Sequence, residues 1–95
     1  MEHLKFEWDE NKNTSNKIKH GVSFEEAQTV FYDEMALIID DPDHSEQEDR
    51  FIILDQSKSA KLLVVCHCYR ESDMTIRIVS ARKANKTESK QYYKF

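Results

Sequence analysis

The sequence holds one glycine, Gly21, and one proline, Pro42. So few turn-formers argue against a collagen-like chain, a flexible linker or a many-turned β-sandwich. A glycine-rich phosphate cradle is excluded for the same reason. Neither G-x-S-x-G nor H-E-x-x-H occurs, so the serine-elbow and zincin chemistries are not expected. Uninterrupted apolar runs such as Leu62 to Cys66 stop far short of the roughly 20 residues that span a bilayer. The opening MEHLKFEWDE is acidic and has no long apolar stretch, so no signal peptide, no membrane association and a cytoplasmic location are expected. The two cysteines, Cys66 and Cys68, are two apart. On a strand they point to one side about 6.5 Å apart, a poor geometry for a disulfide. Two thiols are also too few for a structural zinc site, so they read as small buried residues. His44 with Asp41, Asp43 and Glu46 could be imagined around a metal, but no spacing rule selects them, and neither a metal nor any other cofactor is expected.

What remains is a chain of 95 residues, 39% hydrophobic and 34% charged, which suits a single soluble domain over residues 1–95. Its net charge of −4 conceals a division. Residues 1–56 carry 5 basic and 15 acidic side chains, whereas residues 57–95 carry 9 basic and 3 acidic ones. Such a split either neutralises itself in the fold or leaves a basic face for a polyanion.

The pattern of elements is β, α, α, a run of strands, then α. Lys5 to Trp8 alternates as a strand, with Phe6 and Trp8 on one side. Asp9 can cap a mostly polar helix that stops at Lys19-His20-Gly21, with cations and then glycine at its end. Ser23 and Glu26 form a capping box for a second helix, whose Phe24, Ala27, Val30 and Phe31 follow helical spacing. Strands are expected at 36–40, 50–56, 62–69 and 75–81, the third apolar on both faces and therefore central. Asn85 and Glu88 form another capping box for a C-terminal helix. Linkers this short exclude crossover helices between the late strands, so the expected fold is α+β, a small antiparallel sheet under two N-terminal helices with a C-terminal helix.

The last hairpin carries the chemistry. A three-residue loop at Glu71-Ser72-Asp73 sets His67 opposite Arg77 and leaves Cys66 and Cys68 on a purely apolar face, whereas a two-residue turn separates the pair. RNA cleavage without a metal needs a base for the 2′-hydroxyl, an acid for the leaving oxygen and cations for the phosphate. Histidine titrates in the right range, and arginine matches phosphate oxygens with a planar fork. His67, Arg77, Arg82 and Arg50 supply these types, with His20 at a helix end as a further candidate. The alternative is that Arg77 merely lies along the sheet and pairs with a carboxylate such as Asp55. Arg77 and Arg82 are five apart and face opposite sides of a regular strand. Either the strand bends near Ser80 or, the option favoured here, Arg82 lies past its end.

Three stretches, FEWDENKNTSNKIKHGVSFEEAQTVF, DPDHSEQEDRF and LLVVCHCYRESDMTIRIVSARKANKTESKQYY, together resemble the BrnT family of toxins over Phe6 to Tyr93. The resemblance rests on the W-D-x-x-K opening, the K-H-G-V-S-F-E-E-A junction and the I-R-I-V-S-A-R-K-A strand end in combination. It implies a RelE-like fold and a metal-independent endoribonuclease that inhibits translation. It also implies a BrnA-type antitoxin with a ribbon-helix-helix part, through which the complex reaches DNA indirectly. His20 falls in the K-H-G element, Arg50 in the E-x-R-F element, Arg77 and Arg82 in the late strand, and Glu88 in the C-terminal helix. Arg77 and Arg82 would then stabilise phosphate, His67 or His20 would move protons, Arg50 would support the site, and Lys83 and Lys86 would bind RNA. A toxin-like module that binds the antitoxin without cutting RNA is the alternative.

Overall fold

A computed structural model describes residues 4–34, 36–40, 50–70 and 74–94. The described residues form five strands: β1 (Lys5–Glu7), β2 (Leu37–Asp40), β3 (Arg50–Gln56), β4 (Leu62–Arg70) and β5 (Thr75–Lys83). They form one sheet in the order β1-β5-β4-β3-β2. The helices are α1 (Glu10–His20), α2 (Phe24–Gln28), which continues into a 3-10 turn over Thr29–Tyr32, and α3 (Lys86–Tyr92). Strands β2 to β5 make the expected antiparallel meander, with β4 at its centre. The sheet is not wholly antiparallel, because β1 joins the edge of β5 in parallel. The helices that follow β1 allow this, since they carry the chain away before β2 begins.

One face of the sheet is the core. Ile53, Leu63, Val65, Ile76, Ile78 and Ala81 meet Val22, Phe24, Ala27 and Val30 there, with Phe6 and Trp8 packed against the cluster. Laterally paired residues share a face, so the register assigns every other strand position as well. Helix α2 docks through its apolar stripe, as its spacing predicts. Helix α1 docks differently. Its one aliphatic residue, Ile18, is 83% exposed, and its buried residues are Asn13 and Asn16. The Asn16 amide donates to the carbonyls of Val22 and Ala81 and accepts from the Ala81 N–H. It thereby occupies both backbone groups of Ala81 beyond the end of β1, as another strand would. Asn13 accepts from the Phe24 N–H and donates to Glu10 and Glu25, fixing the junction between the two helices.

The caps follow local sequence closely. Asp9 accepts from the N–H groups of Asn11 and Lys12 at the start of α1. Gly21 takes a φ of 71° at its end, a left-handed conformation that a side chain would strain, and donates to the Lys17 carbonyl. The Ser23 hydroxyl accepts from the Glu26 N–H, but only half of that capping box forms. The Glu26 carboxylate accepts instead from the hydroxyls of Ser57 and Ser59 in the β3–β4 turn, which hold it below the usual carboxylate range. The Asn85–Glu88 box is complete.

The β4–β5 register decides what the open face carries. The strands end at Arg70 and resume at Thr75, so four residues join them, not three. Cys68 therefore pairs with Arg77 and His67 with Ile78. A bulge follows: Cys66 pairs with Ser80, leaving Val79 without a partner, and Ala81 and Arg82 pair with Val65 and Val64. One extra residue reverses the parity of everything after it. Ile78 and Ala81, three apart, both reach the core, and Arg77 and Arg82, five apart, both lie on the opposite face. Arg82 is thus inside β5, not past its end, and the irregularity near Ser80 reconciles the two arginines.

Candidate active site

The face away from α1 and α2 gathers the guanidinium groups. One row across the sheet reads Glu7, Arg77, Cys68, Arg50, from β1 through β5 and β4 to β3. The adjoining row reads Lys5, Thr75, Arg70. With strands about 4.8 Å apart, Arg77 and Arg50 start about 10 Å apart across one intervening strand. Cys68 lies between them and is 1% exposed. The two free cysteines therefore belong to this face, which the sequence reading took to be plain core. The inversion follows directly from the four-residue loop.

Arg77 donates from Nη1 to Glu7 Oε2 at 2.8 Å, and Arg70 Nε stands 4.0 Å from the same oxygen. The expected ion pair with Asp55 is not made, because Asp55 pairs in register with Leu63 and points to the core side. At the far end of this face the Arg82 guanidinium grips Glu88 with both nitrogens, each contact 2.8 Å. Glu88 also accepts from the Asn85 N–H, so both of its oxygens are engaged. The guanidinium holds the Glu88 carboxyl below its usual range, and the carboxylate in return raises the affinity of Arg82 for its proton. Helix α3 has no buried residue and is tethered by polar contacts. Besides Arg82–Glu88, the Tyr92 hydroxyl donates to Asp55 at 2.6 Å and Gln56 donates to the Tyr93 hydroxyl at 2.8 Å. Burial pushes the Asp55 carboxyl up, with nearby Asp33 adding to the effect, and the hydrogen bond to Asp55 pushes the Tyr92 phenol up to about 12. Lys83 and Lys86, at the end of β5 and the start of α3, are both exposed.

His67 is not part of this face. It is fully buried on the core side, with Phe31 edge-on at 4.8 Å and the rings of Phe51 and Tyr69 at 6.1 and 5.3 Å. Its ring nitrogens meet the Val65 carbonyl at 3.3 Å and the Tyr69 hydroxyl at 3.4 Å. Desolvation lowers its pKa to about 4, so the ring is neutral near pH 7 and has no open path to a substrate. The expected pairing of His67 with Arg77 is overturned by the register. His20 is half-buried at the end of α1, and no hydrogen bond or ion pair with a described residue links it to the arginines. Arg50 lies two strands from Arg77 in the same row, on the arginine face. His44 and its acidic neighbours lie outside the described residues. Among the described residues no group of three or more His, Cys, Asp or Glu is arranged to hold a metal ion.

Sequence reasoning missed Glu7 and Arg70. The signal for Glu7 was present: Phe6 and Trp8 inward leaves Glu7 outward. Arg70 fell outside because the expected strand ended at Tyr69, one residue early. That β1 lies next to β5 is a tertiary fact that no local pattern contains.

The model of the family described as "Ribonuclease toxin, BrnT, of type II toxin-antitoxin system" matches residues 8–88. The structure is similar to the crystal structure of the Brucella abortus ribonuclease toxin, BrnT, with a TM-score of 0.67 and 20% identity over 87% of this chain and 99% of that one. Among curated proteins none matches. No helix among the described residues is long and apolar enough to cross a membrane.

Proposed function

Because the chain belongs to the BrnT family of ribonuclease toxins from type II toxin–antitoxin systems, we propose that it cleaves RNA on the open face of its sheet. In this reading the fold is RelE-like and cleavage requires no metal, because fixed guanidinium groups supply the positive charge. Arg77 and Arg50 bracket a backbone phosphate above Cys68, and Arg70 adds a third cation from the adjoining row. Arg82 and Lys86 extend the contact towards α3, whereas Lys83, expected from the sequence to bind RNA, pairs with the core residue Leu63 and lies on the other side of the strand. Cleavage of cellular RNA stops translation in the cytoplasm. A BrnA-type antitoxin with a ribbon-helix-helix part covers the face and carries the complex to DNA. The observation that supports this best is the bulge at Val79, which turns Arg77 and Arg82 to the same side as Arg50 and Arg70.

The test is incubation of the purified chain with total RNA, with and without EDTA. Cleavage is expected in both, and Arg77→Ala is expected to remove it, together with growth arrest in cells, while the melting temperature stays within a few degrees. A folded Arg77→Ala variant that still arrests growth rejects the assignment. One observation favours the second reading, a module that holds an antitoxin without cutting RNA: Arg77 and Arg82 each already engage a carboxylate, Glu7 and Glu88. RNA left intact under every condition, alongside a stable antitoxin complex, selects that reading.

A further inference from the structure

Every proton-transfer candidate expected from the sequence is displaced from the arginine face. His67 is sealed in the core, and His20 sits on α1. The carboxylates narrow in the same way. Glu26 is held by the hydroxyls of Ser57 and Ser59. Glu88 spends both oxygens on Arg82 and Asn85. Asp55 is fully buried under Tyr92 on the core side. Glu7 differs from all of these. It stands in the same row as Arg77 and Arg50, its side chain is 40% exposed, and both of its cationic neighbours approach Oε2. Among the described residues Oε1 accepts no hydrogen bond, so both guanidinium contacts leave it uncommitted. The cations fix the carboxylate through one oxygen and leave the other for a proton.

We propose that Glu7 is the proton acceptor of the reaction, a catalytic residue held by Arg77 and Arg70. This rests on the ribonuclease reading above. The Glu7 carboxylate takes the proton of a ribose 2′-hydroxyl as that oxygen bonds to the adjacent phosphorus. The bond from phosphorus to the 5′-oxygen of the next nucleotide breaks, and the leaving oxygen takes a proton from water. Glu7 returns its own proton to solvent. The products are a 2′,3′-cyclic phosphate and a 5′-hydroxyl; nothing is oxidised or reduced, and one proton is lost and one gained by the RNA. Arg77 and Arg50 face the charge that builds on the phosphate oxygens.

The experiment compares the full chain with Glu7→Gln and Glu7→Asp. Cleavage is followed on a mixed-sequence RNA oligonucleotide, and binding on its 2′-O-methyl counterpart, which cannot be cut by this route. Glu7→Gln is expected to lower kcat by on the order of 10²- to 10⁴-fold. It should bind the 2′-O-methyl RNA at least as tightly as the parent, because a negative charge beside the phosphate has gone. Glu7→Asp should recover part of the rate, and the parent products should end in a cyclic phosphate. Were Glu7 only an ion-pair partner, Glu7→Gln would cut within about threefold of the parent, and the assignment would be overturned while the ribonuclease reading stood. A parent chain that binds the oligonucleotide and leaves it intact overturns both.

Discussion

His67 carries the residue type expected at a proton-transfer site, but its surroundings make it a core residue. Phe31, Phe51 and Tyr69 enclose the ring, and burial lowers its pKa from 6.5 to about 4. The unfolded chain takes up that proton near pH 6.5, and the folded chain resists until about 4. The contribution to stability is therefore complete above pH 6.5 and is lost as pH falls through that window, by up to about 3 kcal/mol at 1.36 kcal/mol per pH unit. Urea unfolding of the parent and of His67→Phe between pH 7 and pH 4 should show this slope in the parent and its reduction in the variant. His67→Phe should also keep RNA cleavage within about threefold of the parent. Loss of cleavage in a folded variant would return His67 to the site. Arg77 shows the reverse case: its residue type and its alternation with Ile76 and Ile78 located it correctly on the sheet, and only its partner, Glu7, came from elsewhere in the chain.

Strand β5 is the element on which the site depends. Its alternation is regular from Thr75 to Ile78, reverses at Val79 and is regular again to Lys83. Without the bulge, a pairing that kept Arg77 outward would turn Arg82 into the core and Ala81 out of it. Deletion of Val79 removes that extra residue, so Ile78, Ser80, Ala81 and Arg82 would alternate regularly with their present partners and keep their faces, and the variant is expected to fold with Arg82 still outward. A denaturant midpoint within about a tenth of the parent's would show it, whereas a midpoint at least about a third lower, or rapid proteolysis, would mean that the bulge does more than set parity. The sequence displays the conflict openly, as two arginines of opposite parity beside apolar positions that also change parity. It does not say whether a bend or an early strand end resolves it, because both satisfy the local pattern. Helix α1 teaches a related lesson. Its apolar moment was too weak to predict how it docks, since Asn16 attaches it through an amide matched to the free backbone of Ala81. That match exists only once β1 and β5 lie side by side.

At the scale of the molecule, an acidic chain brings four cationic side chains together on one face of its sheet. Lys5, Arg50, Arg70 and Arg77 occupy two adjoining rows, with Glu7 among them. Binding of single-stranded RNA there should weaken linearly with the logarithm of salt, by roughly 0.7 per phosphate neutralised. Arg77→Ala should reduce that slope by about 0.7, whereas Lys90→Ala, on α3, should leave it unchanged. Equal slopes for the parent and Arg77→Ala would exclude a phosphate contact at Arg77. The charge division between the two halves of the chain is resolved in part by neutralisation, as in Glu7–Arg77 and Glu26–Lys61.

The sequence by itself determined the elements and their order, the caps at Asp9, Gly21 and Asn85, the central position of β4 and the presence of arginine in the late strands. These depend on interactions within a few residues, or on alternation that any half-buried strand must obey. The tertiary structure decided the face on which each arginine lies, the carboxylate it meets and the burial of His67. A four-residue loop in place of three and one unpaired residue at Val79 settle all of those faces, and neither changes the local composition that a sequence displays.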